Sequence, residues 1–255
     1  MKQIKAAVIS NREVMPGIFL TWLEAPDIAG DAQPGQFVMA LCGQGPESPL
    51  RRPLSIHRRD KNRIALLFNV VGSGTEWLKS LEAEGEIDLL GPLGNGFKIS
   101  PESKNLLLVA GGIGVAPLCF LADTAVSAGR SVTMLLGAYS ESQLYPKELL
   151  PPEVNLITAT ETGDGIMITS RIPEYSPQAD QIFACGPTPM YRTMARMPEL
   201  KDKPVQVSLE TRMGCGVGVC YACTIKTTSG LKQVCRHGPV FEMSDVIWEA
   251  LGLDR

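Results

Sequence analysis

The sequence predicts a β plus α/β protein with an N-terminal antiparallel β-barrel, a doubly wound parallel α/β domain and a C-terminal cysteine loop. In the first hundred residues, short apolar or β-branched runs alternate with turn residues, which is typical of small antiparallel barrels. From Asn105 onward, apolar strands alternate with helical segments, which is the pattern of a parallel sheet with helices on its faces. Beyond them, four cysteines lie in a glycine-rich stretch from Cys215 to Cys235.

The barrel region contains candidate strands and one candidate helix. The helix, SGTEWLKSLEAE over 73–84, presents Trp77, Leu78 and Leu81 on one face and begins with the Ser and Thr that commonly start helices. The strands read IKAAVI, GIFLTWLEA, GQFVMALC, PLSIHRR, RIALLFNVV and GEIDLLGPLG.

A polar, proline-containing segment, SPESKN over 100–105, separates the two patterns and predicts a domain boundary. We therefore expect a barrel domain over 1–100, an α/β domain over 101–209 and a cysteine-containing subdomain over 210–255. The α/β pattern reads NLLLVA, SVTMLLGA, VNLITA, QIFACG and VQVSLE as strands, and APLCFLADTAVSAG, YPKELL and TPMYRTMARM as helices. The tail around Val246, Ile247 and Leu251 is weakly helical in pattern.

Charge and composition argue against a nucleic-acid-binding protein. The formal net charge is -3, from 24 basic and 27 acidic residues. Basic residues are scattered except for one short run, which comprises Arg51, Arg52, His57, Arg58 and Arg59. A protein that binds nucleic acid usually carries a basic face, so we do not expect this function.

The sequence also predicts a cytoplasmic protein without a membrane span. The N-terminus shows no export signal, and the longest apolar run, over 106–122, is broken by three glycines and a proline. In a reducing compartment, seven cysteines favour metal binding or catalysis over disulfides. The two histidines, His57 and His237, have no companions at metal-ligand spacing, and no hydrolytic constellation stands out.

The turn VAGGIGVAP joins an apolar strand to a helix and predicts a dinucleotide site. Gly111, Gly112 and Gly114 would let phosphates approach the backbone, and the helix N-terminus that contains Pro117 would supply N–H groups and a positive dipole. Glycines at such turns also occur simply to pack a helix against a sheet, and this alternative stays open.

Two further features lie where open α/β sheets bind ligands. Cys185, Gly186 and Pro187 follow a predicted parallel strand at its carboxyl end, although Cys185 could equally be a small buried hydrophobic residue. Glu141 follows the strand SVTMLLGA, where a carboxylate would repel a 2′-phosphate and so favour NADH over NADPH. A solvated loop side chain is the alternative for Glu141.

The four C-terminal cysteines predict a [2Fe-2S] cluster. Cys215, Cys220 and Cys223 follow a C-x4-C-x2-C pattern, and Cys235 comes after eleven further residues, as in plant-type ferredoxins. Glycines at 214, 216 and 218 suit a loop whose N–H groups point at an anionic cluster. The alternative is structural zinc, whose four cysteine ligands usually come as two separated pairs. Cys42 and Cys119 are expected to be packing residues.

Together, these motifs resemble the ferredoxin-NADP reductase superfamily, in which a flavin-binding barrel precedes a nicotinamide-binding domain. Within it, the C-terminal cysteine loop is similar to that of the electron-transfer subunits of two-component, NADH-linked (type B) dihydroorotate dehydrogenases. The resemblance covers nearly the whole chain and rests on RPLSI, VVGSGTEWL, GPLGNGF, AGGIGVAPL, CGP and GCGVGVCYACT.

The resemblance implies where FAD would bind. Arg52 would lie near the pyrophosphate and Ser55 near the isoalloxazine, with Pro53 between them and Leu54 in place of the usual aromatic residue. The remaining FAD-binding residues implied are Val70, Gly72, Gly74 and Thr75, at a helix start suited to the pyrophosphate. Without this resemblance, Arg52 would be interpreted as a surface charge and the turn from Gly72 to Thr75 as an ordinary helix cap.

The resemblance also implies which groups exchange electrons, without fixing the direction of flow. NADH would pass a hydride to FAD N5, with Cys185 and Ser55 as the catalytic residues, and single electrons would continue to the cluster and then to a partner. That partner would be an FMN-containing dihydroorotate dehydrogenase catalytic subunit, in a two-plus-two heterotetramer serving pyrimidine synthesis. The alternatives are a subunit of an NADH-dependent ferredoxin:NADP reductase, a sulfhydrogenase or an anaerobic sulfite reductase, or a non-enzymatic zinc-binding structural subunit.

Overall fold

The structure is a computed structural model that describes residues 1–43 and 50–252. It confirms the fold class, because a closed antiparallel barrel is followed by a mainly parallel sheet and a cysteine-containing C-terminal segment. The last three residues of the expected subdomain over 210–255 lie outside the described part of the chain. In that described part, no helix is long and apolar enough to cross a membrane.

Six antiparallel strands close the barrel in the order β1-β2-β5-β4-β3-β6. Their bounds are β1 Lys2–Met15, β2 Ile18–Glu24, β3 Phe37–Leu41, β4 Arg51–Asp60, β5 Arg63–Asn69 and β6 Glu86–Leu93, with short helices α1 Pro26–Ala29 and α2 Ser73–Lys79 between them. Alternate strand residues such as Val38, Ala40 and Leu89 are fully buried in the barrel core, as one-sided strands require.

The helix after β5 is shorter than its sequence pattern predicts. It ends at Lys79, whereas the pattern runs to Glu84. Glu84 takes a φ of 71°, and its amide donates to the carbonyl of Val8, so the chain turns there to enter β6. Pairing with the barrel therefore prevails over the helical periodicity of the last residues.

The second sheet has the strand order β14-β11-β10-β7-β8-β9. Its five parallel strands are β7 Asn105–Gly111, β8 Ser131–Ala138, β9 Asn155–Thr160, β10 Gln181–Cys185 and β11 Val205–Ser208, and the helices connecting them are α3 Val115–Ser127, α4 Ile172–Tyr175 and α5 Thr188–Ala195. The expected helix around YPKELL is a single 3-10 turn, Lys147–Leu149.

The C-terminal segment adds a hairpin and an edge strand. Its elements are β12 Thr224–Thr227, β13 Gly230–Gln233, α6 Val234–His237 and β14 Val240–Glu242. β14 pairs antiparallel with β11, and the expected helical tail is a 3-10 turn, Trp248–Ala250. Cys223 and Cys235 share one hydrophobic cluster with Phe37 and Met39 of the barrel, so the cysteine segment packs on both domains.

Candidate functional site

The two glycine motifs of the α/β domain meet at the centre of the sheet. β7 and β10 are neighbours, and Cys185 at the end of β10 pairs with Ala110 near the end of β7. The first strand of the sheet, β7, lies between β8 on one side and β10 on the other, so the strand order reverses here. Open α/β sheets bind ligands outside the carboxyl ends of the strands at such a point.

The structure divides the predicted glycines into packing and exposed positions. A Cβ atom at Gly114 would overlap the carbonyl group of Cys185, and one at Gly111 would lie 2.8 Å from Pro187 Cδ. A Cβ at Gly186 would lie 3.1 Å from the Cα of Gly111. These three glycines therefore let the two turns pack together. For these positions, the alternative that the glycines serve packing rather than phosphate binding is supported.

Gly112 differs, because it faces open space. It has a φ of +54°, and a Cβ there would meet nothing within 4 Å. It starts a 3-10 turn that leads into α3, whose first turn contains the buried Pro117. Backbone at Gly112 is thus the part of the motif that a phosphate can approach, next to the positive end of a 13-residue helix.

Glu141 lies at the same edge of the sheet. It begins a 3-10 turn after β8 and its side chain is exposed, which leaves the carboxylate able to face a ribose or solvent. The NADH preference drawn from it stays a prediction.

Cys185 is fully buried, and its thiol does not line an open surface. Burial raises the pKa of this thiol well above its usual value, and the nearby Glu210 raises it further, so the thiol is neutral. Its side chain lies within hydrogen-bonding reach of Tyr191 and Ser208. The role beside nicotinamide predicted for Cys185 stays a prediction.

Tyr191, which no sequence motif indicates, connects this turn to the next strand. Its hydroxyl accepts the N–H of Gly186 at 2.9 Å and donates to the carbonyl oxygen of Ser208 at 2.6 Å. The ring is fully buried and stacks on Trp248 with 5.2 Å between centroids. The helical periodicity of α5 indicates that Tyr191 is buried, but no sequence pattern predicts which backbone groups its hydroxyl binds.

Two parts of the predicted flavin site, Arg52 and Gly74, are close to each other. A Cβ at Gly74 would lie 3.1 Å from Arg52 Nε and 3.2 Å from Cys42 Cβ, so Arg52 packs on the first turn of α2. Burial raises the pKa of the Cys42 thiol to about 11, which fits the packing role expected for it. An arginine held over a helix start is a suitable environment for a pyrophosphate.

The other predicted flavin residues occupy two adjoining segments. Pro53, Leu54 and Ser55 are partly exposed in β4, where Leu54 pairs with Val38 of β3. In the second segment, the hydroxyl of Thr75 accepts the N–H groups of Val71 at 2.9 Å and Gly72 at 3.2 Å. Thr75 therefore caps the helix start, and Val70 donates its N–H to the carbonyl of Gly17.

The cysteine loop surrounds the sulfur of Cys215 with backbone donors. The N–H groups of Val217, Val219 and Cys220 point at Cys215 Sγ, with N to S distances of 3.5, 3.3 and 3.4 Å. This wrapping requires left-handed backbone, because φ is +72° at Gly216 and +84° at Gly218. Although burial alone would raise it, these three hydrogen bonds lower the pKa of the Cys215 thiol to about 6.

The four cysteines form two linked pairs. In the first pair, the N–H of Cys220 donates to the sulfur of Cys215. In the second, the N–H of Cys235 donates to the sulfur of Cys223 at 3.4 Å. Burial, and then the adjacent Cys223, raise the pKa of Cys235 to about 12. Within residues 1–43 and 50–252, no three His, Cys, Asp or Glu side chains are arranged as ligands of a metal ion.

The donor set and backbone of this loop fit an anionic cluster. Thiolates are the ligands of iron–sulfur clusters, and inward N–H groups stabilise their negative charge. A Cβ at Gly214 would lie 3.2 Å from Cys220 Sγ, so a side chain there would crowd the sulfurs. A Cβ at Gly216 would overlap Met39 of β3, which shows how closely the loop lies on the barrel.

The outer face of the loop is apolar. Val219 is 73% exposed and Tyr221 is 70% exposed, with Val217 beside them at 36%. Large exposed apolar side chains in one short segment are typical of protein interaction sites.

Comparison with known proteins agrees with this arrangement. Residues 210–247 match the iron-sulfur cluster binding domain of dihydroorotate dehydrogenase B. The chain is 37% identical over 261 residues to the dihydroorotate dehydrogenase B (NAD(+)), electron transfer subunit, of Desulforamulus reducens. This alignment covers 97% of this chain and 99% of the relative. The protein of the same description from Clostridium acetobutylicum is 37% identical over 245 residues, covering 94% and 95%.

Solved structures share the fold over most of the chain. A chain from the NADH-dependent reduced ferredoxin-NADP oxidoreductase, described in work on flavin-based electron bifurcation, superposes with a TM-score of 0.84 at 27% identity, covering 96% of this chain and 90% of that one. The ferredoxin reductase in carbazole 1,9a-dioxygenase superposes with a TM-score of 0.67 at 18% identity, covering 81% and 68%, and shows the fold alone.

Proposed function

Because the chain belongs to the family of dihydroorotate dehydrogenase B electron transfer subunits, we propose that it carries electrons between NAD(H) and the catalytic subunit of that enzyme. It is an oxidoreductase subunit of the ferredoxin-NADP reductase type, and it uses FAD, a [2Fe-2S] cluster and NAD(H). The observation that carries the proposal is the Cys215 sulfur enclosed by three backbone N–H groups, on a loop packed against the barrel.

Each cofactor has a set of residues that fits it. Arg52 and the α2 start at Gly72 and Gly74 would hold the FAD pyrophosphate, and Ser55 would lie at the flavin ring. The backbone of Gly112 and the α3 start would hold the NAD(H) phosphates, with the turn from Cys185 to Pro187 beside them. When bound, FAD exchanges a hydride with NAD(H) and single electrons with the cluster.

Cys215, Cys220, Cys223 and Cys235 would ligate the cluster. The backbone itself stabilises negative charge here, because the N–H groups of Val217, Val219 and Cys220 donate to the sulfur of Cys215. Gly216 brings the loop onto Met39 of the barrel, which keeps the ligands near the domain that we assign to FAD.

The partner that we propose is an FMN-containing dihydroorotate dehydrogenase catalytic subunit, in a two-plus-two heterotetramer in the cytoplasm. The exposed Val219 and Tyr221 support a docking face at the cluster loop, since electrons must leave close to the cluster. Dihydroorotate oxidation by the partner would then reduce NAD through this chain, as a step of pyrimidine synthesis.

The test is to purify the chain with the catalytic subunit and to measure dihydroorotate-dependent NAD reduction. We expect flavin and iron–sulfur absorbance bands, acid-labile sulfide, and activity that requires both subunits. A correctly assembled complex without this activity would contradict the partner assignment. A colourless protein that contains zinc would contradict the redox function altogether.

A second candidate function has one observation in its favour. The superposition on a chain of the NADH-dependent reduced ferredoxin-NADP oxidoreductase covers nearly the whole chain. In that case the same cofactors would serve a different partner. NADH-dependent ferredoxin reduction without dihydroorotate activity would favour this candidate.

A further inference from the structure

The second part of the basic run, from His57 to Arg59 of β4, lies beside helix α3. His57, Arg58 and Arg59 each contact a different residue of that helix. The sequence alone assigns no function to this run. β4 also contains Ser55, and α3 follows the turn with Gly112, so the run joins the elements that we assign to FAD and to NAD(H).

His57 is the buried centre of this contact. It is 0% exposed, and its Nδ1 lies 2.9 Å from the carbonyl oxygen of Ala116 while its Nε2 lies 2.9 Å from the hydroxyl of Tyr145. A carbonyl oxygen can only accept, so Nδ1 carries the proton and Nε2 accepts from Tyr145. The thiol of Cys119 lies within hydrogen-bonding reach of the same hydroxyl.

The two arginines extend the contact along the helix. Arg58 Nε lies 3.4 Å from Asp123 Oδ2 and the guanidinium also binds the carbonyl of Leu149. The guanidinium of Arg59 lies over the ring of Phe120, 5.7 Å from its centroid. Positions 116, 120 and 123 of α3 share one helix face, so a single face receives all three residues.

A β-bulge explains how consecutive strand residues reach the same helix. Ile56 pairs with Leu66 but Arg58 pairs with Ala65, which leaves His57 as the extra residue between them. A bulge breaks the strict alternation of side chains and re-aims one of them. Here it turns His57 toward Ala116.

We propose that His57 is a positioning residue, which fixes the dinucleotide-binding end of α3 against the flavin-binding strand. It is two residues from Ser55, and its acceptor Ala116 is two residues from Gly114. This role rests on the proposed function, because it concerns the distance between the nicotinamide and flavin sites. Hydride transfer needs reacting atoms about 3–3.5 Å apart, and a shift of about 1 Å can cost about a hundredfold in rate.

The test compares three variants loaded with FAD and cluster. His57→Leu removes both hydrogen bonds, whereas His57→Asn keeps an N–H near the position of Nδ1. The matched control is Thr21→Val, because Thr21 is a similarly buried polar residue of the barrel. This variant loses a 2.7 Å hydrogen bond to Asn11, and neither residue belongs to β4 or α3. Flavin bleaching by saturating NADH in a stopped-flow instrument gives the rate of hydride transfer.

We expect His57→Leu to slow hydride transfer about tenfold or more, at unchanged FAD content and flavin potential. His57→Asn should recover most of the rate, and Thr21→Val should leave it unchanged. In protein free of NADH, amide hydrogen exchange over residues 112–120 should be faster in His57→Leu than in Thr21→Val. This measurement reports the stability of the contact between His57 and α3 independently of hydride transfer.

The outcomes separate the two proposals. If wild-type protein is not reduced by NADH, the proposed function fails, and the exchange measurement still reports on His57. If wild-type protein is reduced and His57→Leu keeps its rate, or slows no more than Thr21→Val, the positioning role is wrong. Should His57→Leu not fold, Tyr145→Phe replaces it, with a slower rate supporting the role and a wild-type rate overturning it.

Discussion

The backbone N–H of Gly186 donates to the hydroxyl of Tyr191, 2.9 Å away, inside the α/β domain. The same hydroxyl donates to the carbonyl of Ser208, from which the chain continues to the cysteine loop. One side chain thus holds the turn that we assign to nicotinamide and the strand that leads to the cluster.

We expect Tyr191→Phe to weaken both stability and NADH binding. The substitution leaves a half-buried N–H and a buried carbonyl without this partner, at a cost of about 1–3 kcal/mol in the free energy of unfolding. Urea unfolding and NADH titration measure the two effects. Tyr175→Phe, which removes a hydroxyl from a partly buried ring in α4, is the control and should change neither.

The glycines of the dinucleotide turn should separate by function. Gly114→Ala places a Cβ against backbone of Cys185, which cannot move aside, so we expect poor folding of the α/β domain. Gly112→Ala meets no atom, and its positive φ costs about 1–2 kcal/mol, so the protein should fold but bind NADH more weakly. Circular dichroism and NADH titration distinguish them, and equal NADH affinity in Gly112→Ala would contradict our assignment of the phosphate site.

Cys220→Ser tests the electron path. We expect NADH still to reduce FAD, because this step does not pass through the cluster, while reduction of the catalytic subunit stops. Stopped-flow absorbance follows the first step, and electron paramagnetic resonance reports the cluster. Cys42→Ala, at a buried thiol of the barrel, is the control for cluster content. Normal reduction of the partner without a cluster would refute the relay.

The cysteines show what spacing can predict and what it cannot. The pattern from Cys215 to Cys235 predicts a cluster because ligand spacing is a property of the chain itself. It does not reveal that Gly216 lies on Met39, since that contact joins residues far apart in sequence. The hydrogen bonds of His57 and Tyr191 are likewise made to tertiary partners, Ala116 and Ser208, which no local pattern predicts.

Val219→Glu should weaken binding of the catalytic subunit without loss of the cluster. A carboxylate on the exposed apolar face of the loop would have to be desolvated in the complex, which we expect to cost at least about tenfold in affinity. Gel filtration or calorimetry with the partner measures it. Met167→Glu, at another exposed apolar residue, is the control, and equal affinity in both variants would place the docking face elsewhere.

His57 should make stability depend on pH. Burial lowers its pKa from 6.5 to about 3, so below pH 6.5 the unfolded chain binds a proton that the folded chain does not. The wild-type free energy of unfolding should therefore fall, relative to that of His57→Asn, by about 1.4 kcal/mol per pH unit below 6.5. Urea unfolding at pH 7.5, 6.5 and 5.5 measures this difference, and a constant difference would show that the folded and unfolded chains protonate His57 over the same pH range, which contradicts the lowered pKa.

The pairing of β14 with β11 has a consequence for the path of the electrons. The chain leaves the sheet after Ser208 and returns to it at Val240, directly beside the strand it left. The cysteine segment is thus tied at both ends to one sheet, unlike a carrier domain that swings on a single linker. Electron tunnelling through this protein would then proceed across a gap set by the fold, and its rate would not wait for a domain to move.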